Sequence, residues 1–412
     1  MRKVQEYGKL YAKEKRKAGR FLLEQIEKGK KYKKIILRVV RITLVLAVII
    51  GGIGWLQYSR NREFKGYEVT SEAGMYTNLS GYTAGNGRLF LYSNDGARAL
   101  NGAGEPLWEI SYQLDNPAIV YCQEVAAVAD IGGKSVYVVA ENGIPHNYEV
   151  IYPIVKHEVA KQGVTAVLLD NGMEDFIQLY DMNGLLRVDI NTKTKIDGIP
   201  VDIALSPDGK KLVTLYVTFQ GEAMLCKATF YNADEVGKNY NNNIVGQKTF
   251  AENLLAYDIC FLNEDTVCVL LENGFALYRM TEKPELICEK TFPEAAEEII
   301  CVNGGFYVVK ETAAKQKALD FYNEAGEIKQ SWKEIPEYEA ITATKDEVVF
   351  FSPQRVTIYR VNGSLKFSTA FAQSLEAVFP SENNQYFLVD TGRVQTIKLS
   401  DETKNESEEN ER

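Results

Sequence analysis

The chain is poor in the residues from which most active sites are built. It has two histidines, His146 and His157, in 412 residues. A metal site built on them would need added carboxylates, and no spacing marks any. No pair of carboxylates is singled out by its neighbours either, although an acidic chain has many candidates. The sequence therefore predicts no catalytic residue, no metal ligand and no cofactor.

Two glycine-containing segments imitate ligand-binding loops and are predicted to be turns. Gly132-Gly133-Lys134-Ser135 resembles the end of a phosphate-binding loop, but Val128 stands where the first glycine of that loop belongs. The segment from Asp181 to Gly184 begins like a calcium loop and lacks the later ligands.

Positive charge is scarce after the first 62 residues. Those residues hold 17 of the 47 lysines and arginines but 4 of the 56 aspartates and glutamates. The rest of the chain therefore carries 30 basic and 52 acidic side chains, a net charge of −22. Because a surface of this sign repels phosphate, we expect no nucleic-acid partner.

One long stretch has no charge at all. The residues between Arg41 and Arg60 are uncharged and mostly apolar, about the shortest length that spans a bilayer as a helix. Extending the stretch backwards gives a predicted transmembrane segment over residues 35–58. Arg38 and Arg41 would place their guanidinium groups in the inner headgroup layer, and Trp55 and Tyr58 would lie in the outer one.

The charges around this stretch predict its orientation. No Ala-x-Ala cleavage site follows it, so we expect an uncleaved signal anchor. Residues 1–34 hold 13 basic and 4 acidic side chains, and basic flanks stay cytoplasmic. The prediction is a single-pass protein of the cell membrane with a basic cytoplasmic arm and an extracytoplasmic C-terminal part. The arm has the spacing of an amphipathic helix that would lie on anionic lipid or contact a cytosolic partner; alternatively, it only sets the topology.

After residue 64 helical periodicity is nearly absent. Short apolar runs alternate with Asn-Gly and Asp-Gly turns, a pattern typical of β-hairpins. Aromatic strands and their turns recur near residues 100, 139, 180, 231, 278, 322, 359 and 397. The period of about 42 residues is the length of a four-stranded propeller blade. We therefore predict an all-β fold with an eight-bladed β-propeller over residues 64–400, or seven blades as the alternative, and a disordered acidic tail over residues 401–412.

The last blade offers three strands, between Glu376 and Leu399. An open strand edge promotes aggregation, so a fourth strand is expected from elsewhere. Phe64–Thr70 has the pattern of a strand and precedes the first blade. We expect it to pair with the last blade and close the ring without a covalent bond.

The segment from Arg88 to Trp108 resembles a blade of the quinoprotein-like superfamily, whose repeat combines a glycine turn with a later Leu-Trp. The whole chain is similar to uncharacterised, membrane-anchored bacterial propellers classed as a domain of unknown function, among the quinoprotein-like and WD-repeat-like propellers. The resemblance implies the fold and the anchor but no activity. Trp108 alone of three tryptophans has the repeat position, so no pyrroloquinoline quinone site is expected.

The chain has six cysteines: Cys122, Cys226, Cys260, Cys268, Cys288 and Cys301. A hairpin turn centred on Glu264 would place Cys260 and Cys268 directly opposite each other, at a Cα distance of about 4.5–5.5 Å that permits a disulfide. These two are the pair best placed to form a bridge. We nevertheless expect all six to be reduced and to act as small apolar core residues.

The leading functional hypothesis is a non-catalytic binding or scaffolding module at the cell surface. Besides the lipid bilayer, its partner would be a protein or a cell-envelope polymer. The first alternative is an extracytoplasmic carbohydrate-active hydrolase or lyase, which a convergent cluster of carboxylates or arginines on the channel rim would favour. The second is a sensor that passes a signal to the basic arm.

Overall fold

The computed structural model describes residues 41–402 except 53, 56 and 75–78, together with residues 15, 17, 19 and 20. It divides into two compact units, residues 1–62 and 63–412. The first unit contains helix α1 (Arg41–Asn61), which is long and apolar enough to cross a membrane. Trp55 and Tyr58 are exposed on it. Arg38, most of the basic arm and the tail after Glu402 lie outside the described residues.

Within the described residues, the second unit consists of 32 strands in eight antiparallel four-stranded sheets, the blades of a propeller. The prediction of eight blades is confirmed, and the alternative of seven is wrong. Blade 1 contains β2 (Leu79–Gly85), β3 (Arg88–Ser93), β4 (Gly96–Leu100) and β5 (Pro106–Ser111), and blade 2 contains β6 (Pro117–Cys122), β7 (Val125–Asp130), β8 (Ser135–Val139) and β9 (Pro145–Glu149). Blade 3 contains β10 (Ile154–Val159), β11 (Thr165–Asp170), β12 (Asp175–Tyr180) and β13 (Leu186–Thr192), and blade 4 contains β14 (Ile199–Leu205), β15 (Lys211–Gln220), β16 (Ala223–Asn232) and β17 (Ile244–Thr249). Blade 5 contains β18 (Ala256–Phe261), β19 (Thr266–Leu271), β20 (Gly274–Met280) and β21 (Pro284–Thr291), and blade 6 contains β22 (Ala296–Val302), β23 (Gly305–Glu311), β24 (Lys317–Asn323) and β25 (Ile328–Trp332). Blade 7 contains β26 (Ala340–Ala343), β27 (Glu347–Ser352), β28 (Arg355–Arg360) and β29 (Leu365–Ala370). Blade 8 contains β30 (Leu375–Pro380), β31 (Gln385–Asp390) and β32 (Arg393–Ser400), and its fourth strand is β1 (Gly66–Gly74).

The strands in the middle of each blade are apolar along their whole length because both of their faces are buried. In β19 every residue is buried. Val267 and Val269 pack in a core shared with blade 4. Cys268 and Leu270 point the other way, into a core shared with blade 6. Strand alternation thus sends successive side chains to the two neighbouring blades.

Short irregular segments connect some of the strands. Helix α2 (Thr194–Asp197) lies between blades 3 and 4. The polar insert before β17 contains two 3₁₀ turns, Gly237–Asn239 and Asn241–Asn243. The phosphate-loop and calcium-loop imitations connect β7 to β8 and β12 to β13, so both are turns within blades.

Strand β1 supplies the outer strand of blade 8, as the count of three C-terminal strands predicts. It pairs with β32 from Gly66 opposite Ser400 to Gly74 opposite Arg393, with a register shift after Val69. The strand continues to Gly74 and does not end at Thr70. Just before it, the Phe64 N–H donates to the Lys366 carbonyl of blade 7 at 2.9 Å. Ring closure therefore joins the two ends of the propeller and also ties the entering chain to the neighbouring blade.

The cysteine prediction is half right. Cys260 and Cys268 lie opposite each other in β18 and β19, so the predicted register is confirmed. The disulfide, however, joins Cys260 to Cys301, whose Cα atoms are 6.5 Å apart. The expectation that all six cysteines are reduced is therefore wrong for Cys260 and Cys301. The partner of Cys260 is not Cys268, the one that the sequence favoured, and Cys268 is a buried free thiol. Cys260 projects into the core between blades 5 and 6, where Cys301 enters from the facing blade.

We expect Phe64→Ala to lower the free energy of unfolding by about 3–5 kcal/mol, because the ring is buried in the core around the closing blade. Phe219→Ala is the matched control, since this phenylalanine is 65% exposed, and it should change stability by less than about 0.5 kcal/mol. Urea unfolding of the detergent-solubilised full chain measures both. Equal midpoints for the two variants would contradict a closing role for Phe64.

We expect peptide mapping of the full chain, alkylated without reductant, to recover Cys260 and Cys301 in one linked pair of peptides. Cys268 should carry the alkyl group after denaturation. In a Cys301→Ser variant, Cys260 should become alkylated as well. A Cys260–Cys268 link in the wild type would contradict the structure.

Candidate functional site

The two faces of the ring are distinguished by their loops. Each blade runs outward from an inner strand, which lines the central channel. The BC face is the one that carries the turns between the second and third strands of each blade and the connections from one blade to the next. The AB face is the opposite one, which carries the turns between the first and second strands and between the third and fourth strands.

The inner strands of blades 1, 3, 4, 5, 6 and 8 carry a β-bulge close to the BC face, and in blades 3, 4 and 5 the bulge residue is apolar. These three residues are Val155, Val201 and Tyr257, which the pairing with the second strand skips. Their side chains are about half exposed. A bulge re-aims the side chains around it and is over-represented at functional sites. In blades 3, 4 and 5 these apolar bulge residues place a short apolar arc at the mouth of the channel.

A charged residue follows each of these bulges, and the three residues meet. The Lys156 ammonium of blade 3 bonds to the Asp202 carboxylate of blade 4. The Ile259 N–H of blade 5 donates to Asp202 Oδ2 at 3.0 Å and to Asp258 Oδ1 at 2.8 Å. Glu158 lies 4.0 Å from the same ammonium. Three carboxyl groups on three blades therefore surround one lysine; we call Lys156, Glu158, Asp202 and Asp258 the channel cluster.

Burial and mutual repulsion shift the pKa values of this cluster. Burial, together with the charge and a hydrogen bond of Asp202, raises the pKa of Asp258 to about 6. Burial and the charges of Asp202 and Asp258 together raise the pKa of Glu158 to about 7, although the charge of Lys156 acts against this rise. Burial would lower the pKa of Lys156, but the Asp202 carboxylate raises it overall. With 30% of the Glu158 side chain accessible, a proton reaches this group from solvent.

The channel cluster can attract a cation and hold a proton, but it is poorly arranged for catalysis. Both oxygens of Asp202 are occupied, one by Lys156 and the Ile203 N–H at 2.8 Å and the other by the Ile259 N–H. Among the described residues, no group of three or more His, Cys, Asp or Glu side chains is arranged to hold a metal ion.

Neither histidine joins the channel cluster. His157 lies in β10, where Nε2 is 3.2 Å from the Ala127 carbonyl of blade 2. Burial lowers the pKa of this histidine to about 4, so it is a neutral packing residue. His146 lies in β9, the outer strand of blade 2, opposite Val138.

Other buried charges tie neighbouring blades together. Lys366 pairs with Glu347 inside blade 7, and the Tyr386 hydroxyl of blade 8 donates to the same carboxylate at 2.8 Å. Lys211 of blade 4 bonds to Asp208 and, in blade 5, to Asp265, each at 2.8 Å. Each of these lysines is matched by a carboxylate, which makes these networks structural.

An open polar pocket of about 600 Å³ lies on the BC face of blade 8. Its arginine, Arg393, bonds to Glu72 of β1 at 3.1 Å and to Asp390 at 2.7 Å. The pair with Glu72 holds β1 against β32, and the pair with Asp390 lies within the turn from β31 to β32. The pocket therefore belongs to the ring closure and not to the channel.

Sequence analysis did not single out the channel cluster. The only sign of the cluster in the sequence is its position in the repeat. Lys156, Asp202 and Asp258 lie at equivalent positions in the first strands of blades 3, 4 and 5, and each follows an apolar residue. A single charged residue in an apolar run has the appearance of an ordinary strand residue. Aligning the blades on their second strands would place these three charged residues in one column of the alignment. The residues come into contact, however, only when the ring is formed.

Comparison with solved structures places the second unit among propellers. The WD40 domain of SCAP from fission yeast has a TM-score of 0.50 at 9% identity, covering 82% of this chain and 98% of that one. BamB from Moraxella catarrhalis has a TM-score of 0.48 at 12% identity, covering 82% of this chain and 99% of that one. The SCAP likeness shows the fold and leaves the function open. No curated protein matches the chain. The model of a family of unknown function matches residues 60–399, which agrees with the resemblance drawn from the repeat.

We expect Asp258→Asn to gain stability over the wild type as the pH rises from about 4 to 7. Over that interval a carboxyl with a raised pKa keeps a proton in the folded state that the unfolded chain has released, so its stabilising contribution is lost as the pH rises. His157 has a lowered pKa and acts in the opposite direction, but it is present in both proteins and cancels in the difference. Thermal unfolding at a series of pH values measures the effect.

Asp208→Asn is the control with the opposite sign. Burial would raise the pKa of Asp208, but Lys211 and Ser206 lower it overall. Removing this carboxylate should therefore cost more stability above about pH 4 than below it. A pH-independent difference for Asp258→Asn would show that its carboxyl titrates normally.

Proposed function

The chain belongs to the DUF5711 family of unknown function, and from the geometry of its ring we propose that it is a membrane-anchored, extracytoplasmic binding or scaffolding module without catalytic activity. The observation that carries the proposal is the BC face of blades 3 to 5. There an exposed apolar arc borders a charged cluster whose aspartate, Asp202, has both oxygens occupied. Such a surface suits a partner that is held and not transformed.

The rigidity of the site supports a binding role. Asp202 joins the inner strands of three blades, through Lys156 on one side and the Ile259 N–H on the other. In the next step of the ring, the Cys260–Cys301 disulfide joins blades 5 and 6. A surface that is organised before the partner arrives loses little conformational entropy on binding.

Three features support an external propeller held by one membrane anchor. Helix α1 is long and apolar enough to span a bilayer. The 13 basic side chains of residues 1–34 favour a cytoplasmic N-terminus. Disulfides persist in oxidising compartments, and the Cys260–Cys301 bridge fits such a location. We assign residues 1–34 to a cytoplasmic arm, 35–58 to the anchor and 64–400 to the propeller.

A second candidate is a carbohydrate-active hydrolase, which the cluster of carboxylates on the channel rim favours. Glycosidases pair a protonated carboxyl with an ionised one, and the raised pKa of Glu158 meets the first requirement. The partner carboxylate would be Asp202, which is 4% exposed and fully bonded. For this reason the binding role is the better supported of the two.

We expect a membrane-impermeant amine cross-linker, applied to intact cells, to join the full-length chain to a defined set of proteins. The modified lysines should lie in the propeller, with Lys195 and Lys345 as exposed examples. Lys15 and Lys17 of the arm should react only after the cells are permeabilised. Arm lysines that react in intact cells while the propeller is protected would refute the orientation. Adducts that contain no protein other than this chain would refute the protein partner.

A further inference from the structure

Exposed apolar side chains are concentrated on one part of the ring. Among the described residues of the propeller, sixteen large apolar side chains are exposed, and nine of these lie on the BC face of blades 3 to 5. The other seven lie on outer strands or on the AB face. Six of the nine define what we call the BC patch: Val155, Met173, Ile196, Val201, Phe219 and Tyr257. A concentration of exposed apolar side chains on one face of three neighbouring blades is the feature that marks an interaction site.

The hairpin of β15 and β16 raises one side of the BC patch. Each strand has ten residues, whereas the first residue of β14 already pairs with Val217. Phe219, two residues further on, therefore lies about 7 Å beyond the end of the inner strand. By strand alternation it shares a face with Leu215 and Val217, which pack in the core between blades 4 and 5. Phe219 thus extends that core out of the protein, towards blade 5.

The charges around the BC patch identify the chemistry of its partner. The BC-face segments of blades 3 to 5 (residues 149–156, 170–175, 192–202, 217–225, 249–258 and 271–274) hold ten carboxylates and three lysines. One of the three lysines, Lys156, is already paired with Asp202. The region therefore combines apolar contact area with a negative excess.

The AB face of the same blades provides the contrast. Its segments (residues 159–164, 180–187, 205–211, 232–244, 261–266 and 280–284) hold seven carboxylates and six basic residues. Five of those six basic residues pair with carboxylates of the same face: Lys161, Arg187, Lys210, Lys211 and Lys238. The negative excess is thus a property of the BC face and not of these blades as a whole.

Resting on the proposed binding function, we propose that the BC patch docks a protein segment whose apolar side chains are flanked by lysine or arginine. Charge complementarity selects this occupant. A second copy of the chain would bring a like-charged face, and an anionic lipid surface would be repelled. A neutral or acidic polysaccharide carries no cationic group to pair with the surrounding carboxylates. The apolar side chains supply the contact area, and the surrounding carboxylates orient the cationic flanks.

The test uses the full chain in phosphatidylcholine nanodiscs and a short labelled peptide in which leucine and lysine alternate. We expect saturable binding, measured by fluorescence anisotropy, that weakens as salt is added. Phe219→Ser combined with Met173→Ser should lower the affinity at least about tenfold, as loss of central apolar contacts does. Both side chains lie in exposed turns or strand ends, so the fold should be kept, which unchanged thermal unfolding would verify.

Matched controls separate the apolar and the charged contributions. Ile144→Ser with Leu185→Ser removes two exposed apolar side chains from the AB face and should leave the affinity unchanged. Glu222→Lys with Glu252→Lys on the BC face should weaken binding, whereas Glu235→Lys on the AB face should not. A peptide of alternating leucine and glutamate should bind much more weakly than the lysine peptide.

Three results would overturn the proposal. The first is equal affinity of the BC-face and AB-face variants for the lysine peptide, or no binding of that peptide to the wild type. The second is equal binding of the glutamate peptide. The third is pairing of nanodisc-held chains that Phe219→Ser abolishes, which would make the patch a self-association surface. If cross-linking on cells still finds a protein partner, attached elsewhere, this inference fails while the proposed function stands.

Discussion

The pairing of β1 with β32 holds the ring together, and the burial of every blade depends on it. A single four-stranded blade has two apolar faces and cannot cover either alone. Its neighbours cover both, and the last blade has a neighbour on each side only when the ring is closed. The largest apolar cluster accordingly spans blades 7, 8 and 1 and includes Phe64. The ion pair of Arg393 with Glu72 holds the other end of the closing strand.

The arrangement of the blades in a ring also forms the channel cluster. Lys156, Asp202 and Asp258 lie about 50 residues apart along the chain and meet only because three consecutive inner strands lie side by side. The bulge before each of them turns an apolar side chain towards the BC face. Charge inside the channel and apolar area at its mouth therefore arise from one bulge of the inner strand, which six blades carry. Blades 3 to 5 combine it with an apolar bulge residue followed by a charged one.

Much of the fold was predictable from the sequence because its determinants are local. Asn-Gly and Asp-Gly turns and the recurrent aromatic strands define blade length, and the missing strand of blade 8 points to the segment that begins near Phe64. The register that places Cys260 opposite Cys268 also follows from a short hairpin. What failed was the disulfide, because the partner of Cys260 comes from the facing blade. The channel cluster was missed for the same reason, since no local motif marks residues that meet across three blades.

The closing strand has a consequence for the timing of folding. Strand β1 is among the first parts of the propeller to be synthesised, and β32 is the last, with more than three hundred residues between them. Until β32 emerges, β1 has no partner and every finished blade belongs to an open arc with two exposed ends. A chain cut short before Arg393 would keep both edges open and would be prone to aggregation or proteolysis. The ring can thus close only after the chain has been synthesised through β32.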